Sequence, residues 1–181
     1  MKDSFWGQIW PETRGYLSNM FSRVVLFCLF VCAALLECGE KENFPNEPII
    51  KFKEFRTNEE GGVLVFSFTD GDGDVGLDAG DTLPPFDEES FFYHNLWCDY
   101  YEYQNNEWVL IPLDPELAFY YRVPRVTPTG QNPQLDGEIE LKMPFYYDPF
   151  SPFKEFEFRF RMADRSLNVS NEERTGTLTK P

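Results

Sequence analysis

The chain has 181 residues and carries 31 Asp and Glu against 16 Lys and Arg, a net charge of −15. That balance excludes a nucleic-acid binder, whose phosphate contacts need Lys and Arg. It suits an exported protein or one that meets divalent cations. Residues 1–37 hold three acids and three bases, so the 28 acids and 13 bases from Cys38 onward carry the whole excess.

Residues 1–19 fit no part of an export signal and read as a disordered or untranslated extension. Residues 20–38 read MFSRVVLFCLFVCAALLEC. Arg23 supplies a positive start, and 24–36 is an unbroken run of 13 apolar residues. At ~1.5 Å per residue the run spans only about 20 Å, short of the ~30 Å hydrocarbon core. It is a poor permanent membrane helix and a good signal-peptide core, which makes 20–37 the signal segment.

Leu35, Leu36, Glu37, Cys38 and Gly39 follow. This resembles the lipobox of bacterial lipoproteins, in which a Leu stands three residues before the Cys that receives the acyl chains. Glu37 departs from it, standing where that family prefers a small residue. The resemblance implies a lipid anchor on Cys38 and membrane attachment through it; two or more acyl chains on one residue hold stably. GEKEN at 39–43 is similar to the acidic tag of lipoproteins exported to the cell surface of gram-negative bacteria. The implied location is the outer membrane, facing out. Residues 38–47 then read as a tether and 48–181 as a single domain, long enough to bury a core without disulfides.

Strand patterns fill that domain. Residues 49–55 follow Pro48 as a loose strand, and 63–68 form a continuous apolar and β-branched run after Gly61 and Gly62. Residues 91–103 and 107–111 flank Gln104, Asn105 and Asn106, a hairpin connection. Residues 119–123 read as a short strand closed by Pro124. Residues 138–143 and 155–162 alternate charged and apolar residues, placing Phe156, Phe158, Phe160 and Met162 on one face. Residues 175–179 are polar and terminal, as an edge strand tends to be. Seven to eight strands joined by Pro- and Gly-rich loops predict an all-β antiparallel sandwich. Residues 160–171, FRMADRSLNVSN, resemble the closing hairpin of bacterial immunoglobulin-like domains, with Leu167 where that family usually has Gly. The implied fold is an immunoglobulin-like sandwich preceded by a signal and anchor segment.

Cysteine chemistry is sparse. Cys28 and Cys32 lie in the signal segment, Cys38 is the expected lipid site, and Cys98 remains alone in a strand, as a small buried apolar residue. His94 is the single histidine, and no third group orients a Cys–His pair.

The chemistry concentrates in TDGDGDVGLDAGD at 69–81. Asp70, Asp72 and Asp74 alternate with Gly, and Asp78 and Asp81 follow. Short carboxylates on alternate residues converge on one ion when Gly lets the chain curl, and calcium takes six to eight such oxygens. Counted from Asp70, the five acids fall at positions one, three, five, nine and twelve, a pattern that resembles an EF-hand loop. Two departures stand out: position six is Val75, with Gly76 one residue late, and position twelve is Asp rather than Glu. The entering segment is a strand, so the expectation is a calcium loop of a sandwich, with the ion in a structural role. The competing reading is a solvated Asp/Gly turn. Residues 70–89 hold eight acids and no base, which favours a counter-ion.

The loop 144–153, PFYYDPFSPF, is the best candidate surface patch, with Tyr146, Tyr147 and Phe150 as its candidate ligand contacts; the competing reading of the chain's aromatics is a large core with barrier residues under the long loops. No Gly-x-Ser-x-Gly, phosphate loop, dinucleotide fingerprint or zinc pattern occurs in the chain. As a whole the chain resembles small lipoproteins that carry a TDGDGD-type loop after their first long strand. The expected function is a non-catalytic binding or scaffold module with a protein or glycan partner. A metal-dependent enzyme using the acidic loop and a purely structural envelope protein are the alternatives.

Overall fold

The computed structural model describes residues 23, 25, 43–58, 61–126 and 133–181. The chain divides into Met1–Glu42 and Asn43–Pro181. Of the first unit only Arg23 and Val25, both helical, are described; the extension, the apolar run and Cys38 otherwise lie outside the described residues. Among the described residues no helix is long and apolar enough to cross a membrane. The second unit begins at Asn43, so residues 43–47, expected as tether, belong to the domain.

That domain is an antiparallel β-sandwich. One sheet has the order β1 (Ile49–Asn58), β2 (Gly61–Asp70), β6 (Leu135–Met143). The other runs β4 (Glu107–Leu110), β3 (Leu96–Gln104), β7 (Glu155–Met162), β8 (Glu173–Arg174), with β5 (Tyr120–Tyr121) on β3 and β9 (Leu178–Thr179) on β7. With β1, β2 and β6 as strands A, B and E, and β4, β3, β7 and β8–β9 as C′, C, F and G, this is the immunoglobulin-like arrangement. β8 and β9 are one edge line broken at Thr175: Phe158 donates its N–H to Thr175 Oγ1 while Thr175 donates its own to Phe158 O, and Gly176 turns at φ +69°. β4 and β5 likewise lie along one edge of β3, opposite β7, so nine short segments make seven strand lines.

The alternation read from 155–162 is the core. Phe156, Phe158, Phe160 and Met162 are fully buried and meet Leu64, Phe66 and Phe68 of β2 and Leu96, Cys98 and Tyr100 of β3. Phe66 lies 5.2 Å from Phe160, and Phe158 lies 4.9 Å from Phe119. On the opposite face Glu157, itself buried, pairs with Arg159, whose guanidinium stacks 3.8 Å above the Tyr101 ring. Burial pushes the Cys98 thiol up, the opposite of an activated nucleophile. Asn105 (φ 51°) and Asn106 (φ 70°) form the two-residue β3–β4 turn, both in the left-handed region that Asn tolerates.

The strand expected from residue 91 starts at Leu96 instead; Phe91–Tyr93 is a 3₁₀ turn. Phe91 folds back to stack 4.8 Å from Trp97. Asn95 exchanges side-chain hydrogen bonds with the Val123 backbone, and both fix the bend. Tyr146 and Tyr147 are half-buried and pack onto Phe55 and Phe156 as cover for the core, the alternative reading of the loop aromatics. Phe150 is 93% exposed, as expected of a surface residue.

A buried ion pair pins the loop after β6. Lys180 Nζ donates to Glu102 Oε1 and to Asp148 O, each at 2.8 Å. Tyr100, Gln104 and Ser151 also donate to the Glu102 carboxylate. Burial works against its charge, but these donors outweigh it and hold Glu102 below its ordinary value. Lys180→Met leaves that carboxylate buried without its cation. It is expected to lose about 3–5 kcal/mol of unfolding free energy in urea titrations. Adding Glu102→Gln should restore much of the loss; a single-variant loss no larger than that of a surface substitution would contradict this reading.

Candidate metal centre

The last residue of β2 is Asp70, still paired with Leu135 across the sheet and wholly buried. From there the chain must leave the ladder and curl. Gly71 passes so close to the preceding stretch that a Cβ would overlap the Phe44 and Pro45 carbonyl oxygens, the latter at 2.6 Å. Gly73 (φ 71°) makes the left-handed turn that brings Asp74 back, and Asp74 donates its N–H to Asp70 Oδ2 at 2.8 Å. Val75 then bridges to Asp164, and Arg165 donates its N–H to Asp74 O. The loop is thus stitched to the end of β7.

Asp164 closes the site from that side. The turn after β7 is held by Asn168, which donates its backbone N–H to Asp164 Oδ1 and its side-chain amide to Oδ2, each at 2.8 Å. Leu167 takes φ +69°, in the left-handed region that favours Gly. Asp164 is 1% exposed. One carboxylate oxygen from each of Asp70, Asp72, Asp74 and Asp164 lies within 4.8 Å of the other three.

The hydrogen bonding divides these carboxylates into a held side and a bare side. Asp70 Oδ2 accepts from Asp74, and Asp74 Oδ2 accepts from Ser166 Oγ at 2.8 Å. Asp70 Oδ1, Asp72 Oδ1 and Asp74 Oδ1 are buried and have no donor among the described residues. Buried polar atoms are normally satisfied, so three bare acceptors in one place call for an explanation. Two unit charges ~4.8 Å apart repel by about 3.5 kcal/mol at an effective dielectric of ~20. Burial, and then the neighbouring Asp72, Asp74 and Asp164 charges, push Asp70 up to about 6 despite the Asp74 N–H. Burial raises Asp164 as well, against the opposing Asn168 hydrogen bonds.

These residues fit a metal ion: the donors are all hard oxygens, and Asp70 and Asp74 are each oriented through the second oxygen, as ligands usually are. Asp78 and Asp81 do not join them. Asp81 is gripped by the Arg165 guanidinium, which holds its carboxyl below the usual range, and it accepts the Asp78 N–H at 2.7 Å. Asp78 pairs with Arg125 at 3.0 Å and with Arg165 at 3.6 Å. Positions nine and twelve of the EF-type pattern are therefore neutralised by arginines from distant parts of the chain. Gly76, at φ +92°, turns the chain against Pro124 instead of over an ion. Arg122 organises the rest of the loop, donating to Asp78 O, Asp81 O, Phe86 O and Tyr93 O.

Phe150 borders a groove of about 440 Å³ lined by Leu113, Leu117, Phe119, Phe145 and Tyr147. Tyr147 contributes to it from a half-buried position, and Tyr146 does not line it. No family model matches the chain, and no curated protein or solved structure matches it.

The carboxylate cluster has a pH signature in chelator. Asp70 favours its proton in the folded state, from an ordinary 3.8 to about 6. Its contribution is full below the lower value, declines as pH rises between the two, and is gone above the higher. Metal-free protein should therefore lose stability across that window. Asp70→Asn should exceed wild type by about 3 kcal/mol above it. Urea midpoints at several pH values check this; a variant less stable than wild type in chelator at neutral pH would contradict it.

Proposed function

We propose that this protein is a non-catalytic binding module, lipid-anchored through Cys38 at the outer membrane and facing the cell surface of a gram-negative bacterium. Its sandwich is stabilised at one end by a structural calcium ion. The observation that carries the calcium reading is the set of three buried, donor-less oxygens of Asp70, Asp72 and Asp74, gathered with Asp164. Four carboxylates attract a divalent cation and offer it hard oxygen donors. Calcium accepts the irregular geometry of a loop more readily than magnesium, which demands a near-ideal octahedron and keeps its waters.

Two features favour a structural ion. Asp70 and Asp164 are buried to 0% and 1% exposure, and all but one of the carboxylates are fixed by protein hydrogen bonds. An ion there ties the β2 loop to the β7 turn. The groove beside Phe150 offers a surface for a partner. Its lining is apolar apart from Asp148, which suits the side chains of a protein better than the hydroxyls of a glycan.

A ligand that binds only the folded state adds about 2.7 kcal/mol at ~100 times its dissociation constant. For a domain of this size that raises the melting midpoint by roughly 8 °C. Calorimetric melts of the protein in calcium and in chelator are expected to differ by that amount. Asp72→Ala should abolish the difference, whereas Asp78→Ala should keep it. Equal midpoints in the two conditions would overturn the calcium reading.

A further inference from the structure

Asp70 and Asp72 flank Gly71, and Gly71 is also where the loop meets the segment leading into the domain. Its N–H donates to Pro45 O at 2.8 Å. The two backbones lie so close that no side chain fits between them. Phe44 is half-buried, Pro48 is buried, and Ile49 pairs with Thr69 one residue before the cluster begins. Residues 43–48 thus extend the β1–β2 pairing line along the outer side of the carboxylate loop, while the β7 turn holds its inner side through Arg165 N–H to Asp74 O.

From this we infer that cation binding at the carboxylate cluster locks residues 43–48 onto the domain. The inference rests on the cation reading above and adds its regulation. Without a cation the mutual repulsion of the four carboxylates is relieved by loosening the loop that carries Gly71. The contact with Pro45 then has no fixed partner. With a cation the loop is held, the Gly71 N–H stays in place, and the segment stays docked. The coupling is reciprocal: whatever releases the segment must weaken cation binding by the same factor.

Hydrogen–deuterium exchange of the full chain in detergent micelles, with calcium and with chelator, tests this beside a calcium titration. Calcium is expected to slow exchange in peptides covering 43–50 and 70–77 at least tenfold. Gly71→Ala, which alters no carboxylate, is expected to weaken calcium binding about tenfold and to speed exchange in 43–50. Should that variant fail to fold, Phe44→Ala carries the same test with a several-fold effect. Exchange in 43–50 that is identical with and without calcium, in a wild type that does bind calcium, overturns the inference alone. So does unchanged affinity in both variants. A wild type that takes up no calcium overturns it together with the cation reading.

Discussion

Four carboxylates within 4.8 Å of one another repel, and the chain around the ends of β2 and β7 is nevertheless built to keep them there. Each hydrogen bond in that corner serves this end. Asp74 N–H fixes Asp70, Ser166 fixes Asp74, and Asn168 fixes both oxygens of Asp164. The donors satisfy one side of the cluster and leave the other bare. A buried arrangement of this kind is costly in isolation and favourable around a cation. The conformation of the loop, its seam with the β7 turn and its contact with residues 44–45 all follow from it.

The acids of the loop fall into two sets with different counter-charges. Asp78 and Asp81 are matched by the exposed Arg125 and the partly buried Arg165, and need no ion. Asp70, Asp72 and Asp74 have no arginine partner among the described residues and are joined by a fourth acid instead. The division explains how one stretch of sequence can hold both salt-bridged and metal-ligating carboxylates. Arg165 borders both sets: its backbone N–H serves Asp74 and its side chain serves Asp81. It separates the two by engaging the outer acids and leaving the inner ones to each other.

Much of the fold was legible because burial writes itself into strand periodicity. Residues 155–162 alternate without a break, and the structure buries the apolar set. The Asn105–Asn106 turn was legible from the tolerance of Asn for positive φ. Residues 91–95 were not, since a run of aromatic residues has no period, and what bends it is the long-range pairing of Asn95 with Val123. At the site, the alternation of Asp with Gly gave three of the four acids. Asp164 was visible as part of a hairpin motif but not as a ligand, because only the pairing of sheets brings β7 beside β2. The arginines that remove Asp78 and Asp81 are hidden for the same reason. Tyr146 and Tyr147 follow neighbours that leave the ladder, yet their rings turn back onto Phe55 and Phe156.

The most direct test of the account is which acids the ion uses. Calorimetric titration of chelator-stripped protein with calcium is expected to find one ion per chain, lost as completely in Asp164→Asn as in Asp72→Asn and retained in Asp81→Asn. An Asp164→Asn variant that binds calcium like wild type, with binding lost in Asp81→Asn, would contradict it. The site would then belong to the loop alone and not to the junction of β2 and β7.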